Sequence, residues 1–241
     1  MKGAGPLIAG GLAARLEGRR LVVFDVDGTL YDQTRLRRAM AVRLLSHIAL
    51  TGRVSTLKAL QAYRHARETT ADAGRADFET LALAAAARAG RISETRARAL
   101  VAEWMHERPL PLLSRCRYGG VAELFARLRG QGTLIGILSD YPAADKLRAM
   151  GLRADAIAFA GAPGVPLQKP DPGGLRHLME IAGASPAETI LVGDRDERDG
   201  EAARRAGVDV LLRSSRPAGP DMFRSFAALI GPLDGRADGR A

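Results

Sequence analysis

The stretch Asp25-Val26-Asp27-Gly28-Thr29-Leu30 decides the fold, together with the apolar run Leu21-Val22-Val23-Phe24 just before it. Four uncharged β-branched, aliphatic and aromatic residues in a row read as a strand buried on both faces, the kind found inside a parallel sheet. The two aspartates then fall at the strand's carboxyl end, where open α/β sheets collect their ligands. Two carboxylates two residues apart repel, so a cation is expected between them, or a proton on one. Gly28 permits a tight turn, and Thr29 supplies a hydroxyl. The arrangement suits a hard divalent cation beside a carboxylate nucleophile. A calcium loop of the EF-hand kind needs a glutamate at its twelfth position; counted from Asp25 that position is Leu36, which excludes it.

Working outward, the segment from Tyr31 to Tyr118 has no strand pattern. Apolar residues three and four apart (Leu36, Met40, Leu44, Ile48; Leu57, Leu60; Phe78, Leu81, Ala85; Leu100, Trp104) predict about four helices. Breaks are expected at Thr51-Gly52, Ala73-Gly74 and Ala89-Gly90, a helix start at Ser93, and a close at Pro109-Leu110-Pro111. Beyond Gly119, helix and strand alternate. Strands are predicted at Thr133–Leu138, Ala156–Phe159, Thr189–Val192 and Val208–Leu212, with helices at Gly119–Arg129, from Pro142 to Met150, Gly174–Ile181 and Glu201–Ala206. This is the pattern of an α/β doubly wound parallel sheet. The expected organisation is a core of residues 1–30 and 119–213, an all-helical insertion of 31–118, and a tail of 214–241 with one helix near Met222 to Ile230 and a disordered end from Gly231.

Of 241 residues, 36 are Lys or Arg and 27 Asp or Glu, a formal charge of +9. Residues 31–118 hold sixteen basic and eight acidic side chains, so nearly all the excess sits in the insertion. A solvated arginine face explains most of it; a positive field around an anion site explains one or two members. Aromatics do not interleave with the arginines as a single-strand platform requires, which argues against nucleic acid. The single cysteine, Cys116, excludes an internal disulfide framework and fits a reducing, cytoplasmic setting and a packing role. No apolar run approaches the roughly 20 residues of a spanning helix. Gly5 to Ala14 faintly resembles a signal peptide, but Pro6 and the glycines read as a loose lead-in to a short helix, Leu12–Leu16.

Four stretches now stand at strand ends or helix starts: Asp25 and Asp27, Ser139, Lys169 in Gln168-Lys169-Pro170-Asp171-Pro172, and Asp194 with Asp199. Parallel strands bring such ends to one sheet edge. A carboxylate cluster with one lysine and a hydroxyl is what magnesium-assisted phosphoryl transfer needs. Singly, each has a plainer reading: Ser139 as a helix cap, Lys169 as a loop lysine, Asp194 as an N-cap. His47, His65, His106 and His177 lack metal-ligand spacing, and Trp104 reads as packing.

In this order the four motifs resemble those of the haloacid dehalogenase-like hydrolase superfamily, in the subfamily with a helical cap between the first and second motifs, similar to phosphoglycolate phosphatases. The resemblance spans about residues 20–213. It implies a Rossmann-like core and a Mg2+-dependent phosphatase acting on a small phosphorylated metabolite (phosphoglycolate, a sugar phosphate or a nucleoside monophosphate) through an aspartyl-phosphate. It implies Asp25 as nucleophile, Asp27 as general acid and then base, and Thr29 hydrogen-bonded near Asp27. Thr29, Ser139 and Lys169 would hold phosphate. Asp25, Asp194 and the backbone carbonyl of Asp27 would hold the metal, with Asp199 behind them and Asp196 ranked lower. An acid at position 27 points to phosphoesters, because dehalogenation needs no proton. Asp140 stands where many relatives have Asn, adding a negative charge near the phosphate. A phosphomutase of the β-phosphoglucomutase type uses the same parts. A non-catalytic binding protein is opposed by the intact acidic set. The expected state is monomer or homodimer.

Overall fold

The computed structural model describes residues 11–230. The predicted lead-in before Gly11 and the tail from Gly231 lie outside the described residues. After a 3-10 turn at Leu12–Leu16 comes β1 (Leu21–Phe24). Five helices follow: α1 (Gln33–Thr51), α2 (Val54–Asp72), α3 (Phe78–Gly90), α4 (Glu94–Val101) and α5 (Leu110–Cys116), with a π turn at Ala102–Glu107 between the last two. The rest alternates: α6 (Val121–Gly130), β2 (Leu134–Ser139), α7 (Ala144–Ala149), β3 (Ala156–Phe159), α8 (Gly173–Ala182), β4 (Thr189–Gly193), α9 (Glu201–Ala206), β5 (Asp209–Arg213), β6 (Met222–Phe223) and α10 (Ala227–Ile230).

The six strands form one sheet in the order β3-β2-β1-β4-β5-β6, every neighbouring pair parallel. The first strand sits centrally: Phe24 pairs with Ile137 on one side and Val192 on the other. Its alternation divides the core. Val22 and Phe24 pack with α6 and α7 through Leu124, Phe125 and Leu147, while Leu21 and Val23 pack with α8 and α9 through Leu178 and Ala203. Cys116 is free and buried in the first of these layers, a packing residue as expected.

Two expectations need correction. Pro109-Leu110-Pro111 does not close the helical block; it opens α5. Prolines are tolerated at a helix's first turn because those N–H groups have no intrahelical partner to lose. The chain near Met222 is not helical either: Met222 and Phe223 add a sixth strand beside Leu212 and Arg213, and only Ala227–Ile230 forms a helix. Two residues are too few to show a strand period, and buried Phe223 and Phe226 fit helical spacing as readily.

The helices from α1 to α5 leave and re-enter the sheet side by side. Tyr31 bridges Arg117 antiparallel, and the Tyr118 N–H donates to the Leu30 carbonyl at 3.1 Å. The insertion has its own apolar centre, with Ala59, Tyr63, Ala82, Ala86, Leu100 and Trp104 buried together. Caps mark its boundaries: the Ser93 hydroxyl accepts from the Arg96 N–H, and Gly52 ends α1 at φ 68°.

Candidate active site

The carboxyl edge of the sheet gathers the acidic residues. The Asp25 N–H extends the ladder by donating to the Val192 carbonyl at 2.9 Å, which fixes Asp25 directly beyond β1. Its Oδ1 accepts from Lys169 Nζ at 2.5 Å, and its Oδ2 from the Thr29 hydroxyl at 2.8 Å. Lys169 Nζ also donates to Asp199 Oδ1 at 2.6 Å. The other Asp199 oxygen accepts from the N–H groups of Asp194 and Arg195, each at 3.1 Å, so the π turn at Asp196–Gly200 ties the end of β4 to the lysine. Gly28, at φ 102°, lies so close to Asp194 that a Cβ there would collide with its carboxylate.

Asp25, Lys169 and Asp199 are all nearly excluded from water. Burial pushes the Asp25 carboxyl well above its usual range against the pull of Lys169, and the neighbouring Asp199 and Asp194 add to the rise. Burial works against the Lys169 ammonium, but Asp199 and Asp25 more than offset it, and its pKa is raised. Asp194 is pushed up to about 6, by burial and then by Asp199. Carboxylate oxygens of Asp25, Asp194 and Asp199 lie within 4.8 Å of one another. Two buried carboxylates sharing one lysine, with the half-buried Asp194 beside them, make a hard, oxygen-rich donor set short of positive charge, which fits a divalent cation.

Asp27 faces elsewhere. Its two oxygens accept from Lys146 Nζ at 2.6 and 2.7 Å, and the Tyr31 hydroxyl donates to Oδ1. Each of the two aspartates has its own lysine. Burial would raise the Asp27 pKa, yet the Lys146 charge and the bonds from Lys146 and Tyr31 outweigh burial and lower it. Neither Lys146 nor Tyr31 belongs to the residues that the four motifs single out. A signal existed for Lys146, since it is one of four lysines in an arginine-rich chain and follows the second motif. Tyr31 carries no such signal.

The remaining candidates divide. Thr29 bonds Asp25, and Asp194 Oδ1 at 3.3 Å, not Asp27. Ser139 is buried at the end of β2, and its Oγ accepts from the Tyr141 N–H at 3.2 Å, a local turn rather than a helix cap, since α7 starts at Ala144. The Asp140 side chain accepts from the Lys169 N–H at 3.0 Å, so its charge helps to hold the lysine loop. Asp196 pairs with Arg204 at 2.9 Å and is outside the cluster. Among the histidines, only His106 lines the cavity above the carboxylates. Burial, then the nearby Lys146 ammonium, lowers its pKa. Trp104 is buried against His47 and Arg108, as packing predicts, and also lines that cavity.

The cavity has a volume of about 340 Å³. The sheet edge forms its floor, and α1, α2, the π turn at Ala102–Glu107 and α5 form its walls. Two arginines join the layers. Arg67 of α2 donates to the Asp140 carbonyl and lies over the ring of Tyr141 at 4.3 Å and of Phe78 at 4.6 Å. Arg198 donates to the Lys169 carbonyl at 2.7 Å and pairs with Asp72 of α2 at 2.8 Å.

The family model of the haloacid dehalogenase-like hydrolases matches residues 19–207. The chain belongs to this family. The match runs from just before β1 to the end of α9, so it takes in every carboxylate and lysine described above. A phosphoglycolate phosphatase of Rhodospirillum rubrum is 27% identical over 199 residues, covering 81% of this chain and 79% of that protein. One from Mesorhizobium japonicum is 31% identical over 207 residues, covering 80% and 82%. A glyceraldehyde 3-phosphate phosphatase of Methanopyrus kandleri is 25% identical, covering 84% and 87%. The crystal structure of a 2-haloacid dehalogenase from Pseudomonas syringae superposes with a TM-score of 0.62 at 18% identity, over 88% of this chain and 96% of that one, and shares the fold. Among the described residues, no helix of this hydrolase is long and apolar enough to cross a membrane.

Proposed function

We propose that this hydrolase is a Mg2+-dependent phosphatase that cleaves a small phosphate monoester through an aspartyl-phosphate on Asp25. The observation that carries the reading is the pairing of two neighbouring carboxylates with separate lysines: Asp25 with buried Lys169, and Asp27 with Lys146. Asp25 attacks phosphorus, a P–O(Asp25) bond forms, and the bond to the leaving alcohol oxygen breaks. Lys169 holds the nucleophile's oxygen and offsets phosphoryl charge. The departing alkoxide takes its proton from the Asp27–Lys146 pair. In the second step Asp27 removes a proton from the water that attacks the aspartyl-phosphate, which restores Asp25 and frees phosphate.

Asp25 and Asp194, with the backbone carbonyl of Asp27, would hold the magnesium ion, and Asp199 would support them from behind. When bound, the ion supplies charge neutralisation between the phosphoryl oxygens and the carboxylates. Ser139 and Thr29 are assigned to the phosphoryl side. Thr29 reaches Asp25 and Asp194, so it would orient the nucleophile rather than Asp27. Residues 31–118 would act as a cap that excludes water during turnover. The phosphatase names of the relatives from Rhodospirillum, Mesorhizobium and Methanopyrus support a small phosphorylated substrate.

Phosphate release from acetyl phosphate and a panel of monoesters, with and without Mg2+, tests the reading. Release that requires Mg2+ and falls about a thousandfold or more in Asp25→Asn is expected. Undiminished release in that variant would overturn it.

A further inference from the structure

One stretch of the cavity wall above the carboxylates is apolar, beside polar residues that include Gln33, Gln61 and Glu68. Leu36, Met40 and Leu44 come from α1, Leu60 from α2, and Trp104 and Met105 from the π turn. We propose that the alcohol part of the substrate is a bulky apolar group, aromatic by preference, rather than glycolate or a sugar; this rests on the phosphatase reading above.

The size of the cavity and its chemistry point the same way. About 340 Å³ lies within the range of pockets that enclose ligands of many heavy atoms. A two-carbon acid on Asp25 would reach the floor and leave the wall facing water. Met40 and Leu44 are only half-buried in this state, so a ligand that covers them gains their contact with water removed. Sugar hydroxyls pressed against these six side chains would lose their hydrogen bonds to water and find few partners on them.

The polar groups of the wall are consistent with a ring. Arg64 lies along it with Nε 3.3 Å from Met105 Sδ, and like Arg37 it forms no ion pair among the described residues. Guanidinium groups that hold no carboxylate can lie against the face of an aromatic system. His106, whose pKa is lowered by burial, adds a flat side chain without adding charge at neutral pH.

The test compares kcat/KM for 2-phenylethyl phosphate, phosphoglycolate, glucose 6-phosphate and acetyl phosphate on the full chain with Mg2+. The first three are esters of primary alcohols, so leaving-group acidity does not create the preference. 2-Phenylethyl phosphate is expected to exceed phosphoglycolate and glucose 6-phosphate by about tenfold or more. Leu44→Asp is expected to lower the ratio of 2-phenylethyl phosphate to acetyl phosphate by about tenfold, and Met40→Gln, a milder change, to lower it in the same direction. Equal or faster turnover of phosphoglycolate or glucose 6-phosphate would overturn the proposal while leaving a phosphatase. A ratio unmoved in both variants would overturn it as well. Failure of all four compounds with the folded wild-type protein, acetyl phosphate included, would overturn the phosphatase reading itself.

Discussion

The sheet edge and the helical wall face each other across one cavity, yet they are built on different terms. At the edge, each group answers to a specific partner: Asp25 and Asp199 to Lys169, Asp27 to Lys146 and Tyr31, Asp194 to Thr29. On the wall, Leu36, Met40 and Leu44 answer only to shape and to exclusion from water. Chemistry that moves a phosphoryl group tolerates few residue types at few strand ends. A surface that encloses a leaving group tolerates any apolar side chain of suitable size.

If the edge is as interdependent as its bonds imply, removing its central cation has the largest effect. Lys169→Met leaves Asp25 and Asp199 buried without a counter-charge. Breaking a buried pair in this way costs about 3–5 kcal/mol, read as a lower midpoint in denaturant without Mg2+, and activity should be lost with it. A Lys169→Met protein as stable as wild type would mean that the carboxylates hold protons instead, and that the edge is no more constrained than the wall.

A smaller effect is expected at Lys146→Met. Asp27 keeps its position at the chain turn but loses the cation that aims it, and a displaced catalytic group costs about a hundredfold in kcat. The sign of the pH effect follows from the charge. Lys146 lowers the Asp27 pKa, so its removal raises that pKa, and the acid limb of kcat moves to higher pH. An unmoved limb would show that Asp27 titrates independently of Lys146. The smallest effect belongs to the wall, where Leu44→Asp shifts substrate preference by about tenfold with no demand on the acid limb.

The same contrast decides what the sequence reveals. The five core strands and their order of appearance follow from apolar runs, three of which lead into Asp25, Ser139 and Asp194, since a buried parallel strand needs such a run and a site at its carboxyl end needs the polar residue. The sixth strand is too short for a period. Lys169 and Asp199 are legible because their motifs keep sequence order. The true partner of Asp27 is not, because Lys146 reaches it from a helix 119 residues away, and no local spacing encodes that approach. Nor does spacing show that Thr29 turns to Asp25. The insertion's helices are visible in their periods and caps, but which of their faces lines the cavity depends on how the helices pack, and the arginines there separate into joints (Arg67), cavity walls (Arg37, Arg64) and solvated charges only in three dimensions.

The central claim is that Asp25 becomes covalently phosphorylated. Mass spectrometry of acid-quenched protein, taken during turnover of acetyl phosphate with Mg2+ and digested, tests it most directly. The account predicts one added phosphoryl group on the peptide that contains Asp25, absent without Mg2+ and absent in Asp25→Asn. Steady phosphate release with no phosphoryl group on that peptide at any quench time, and with Asp25→Asn still active, would contradict it.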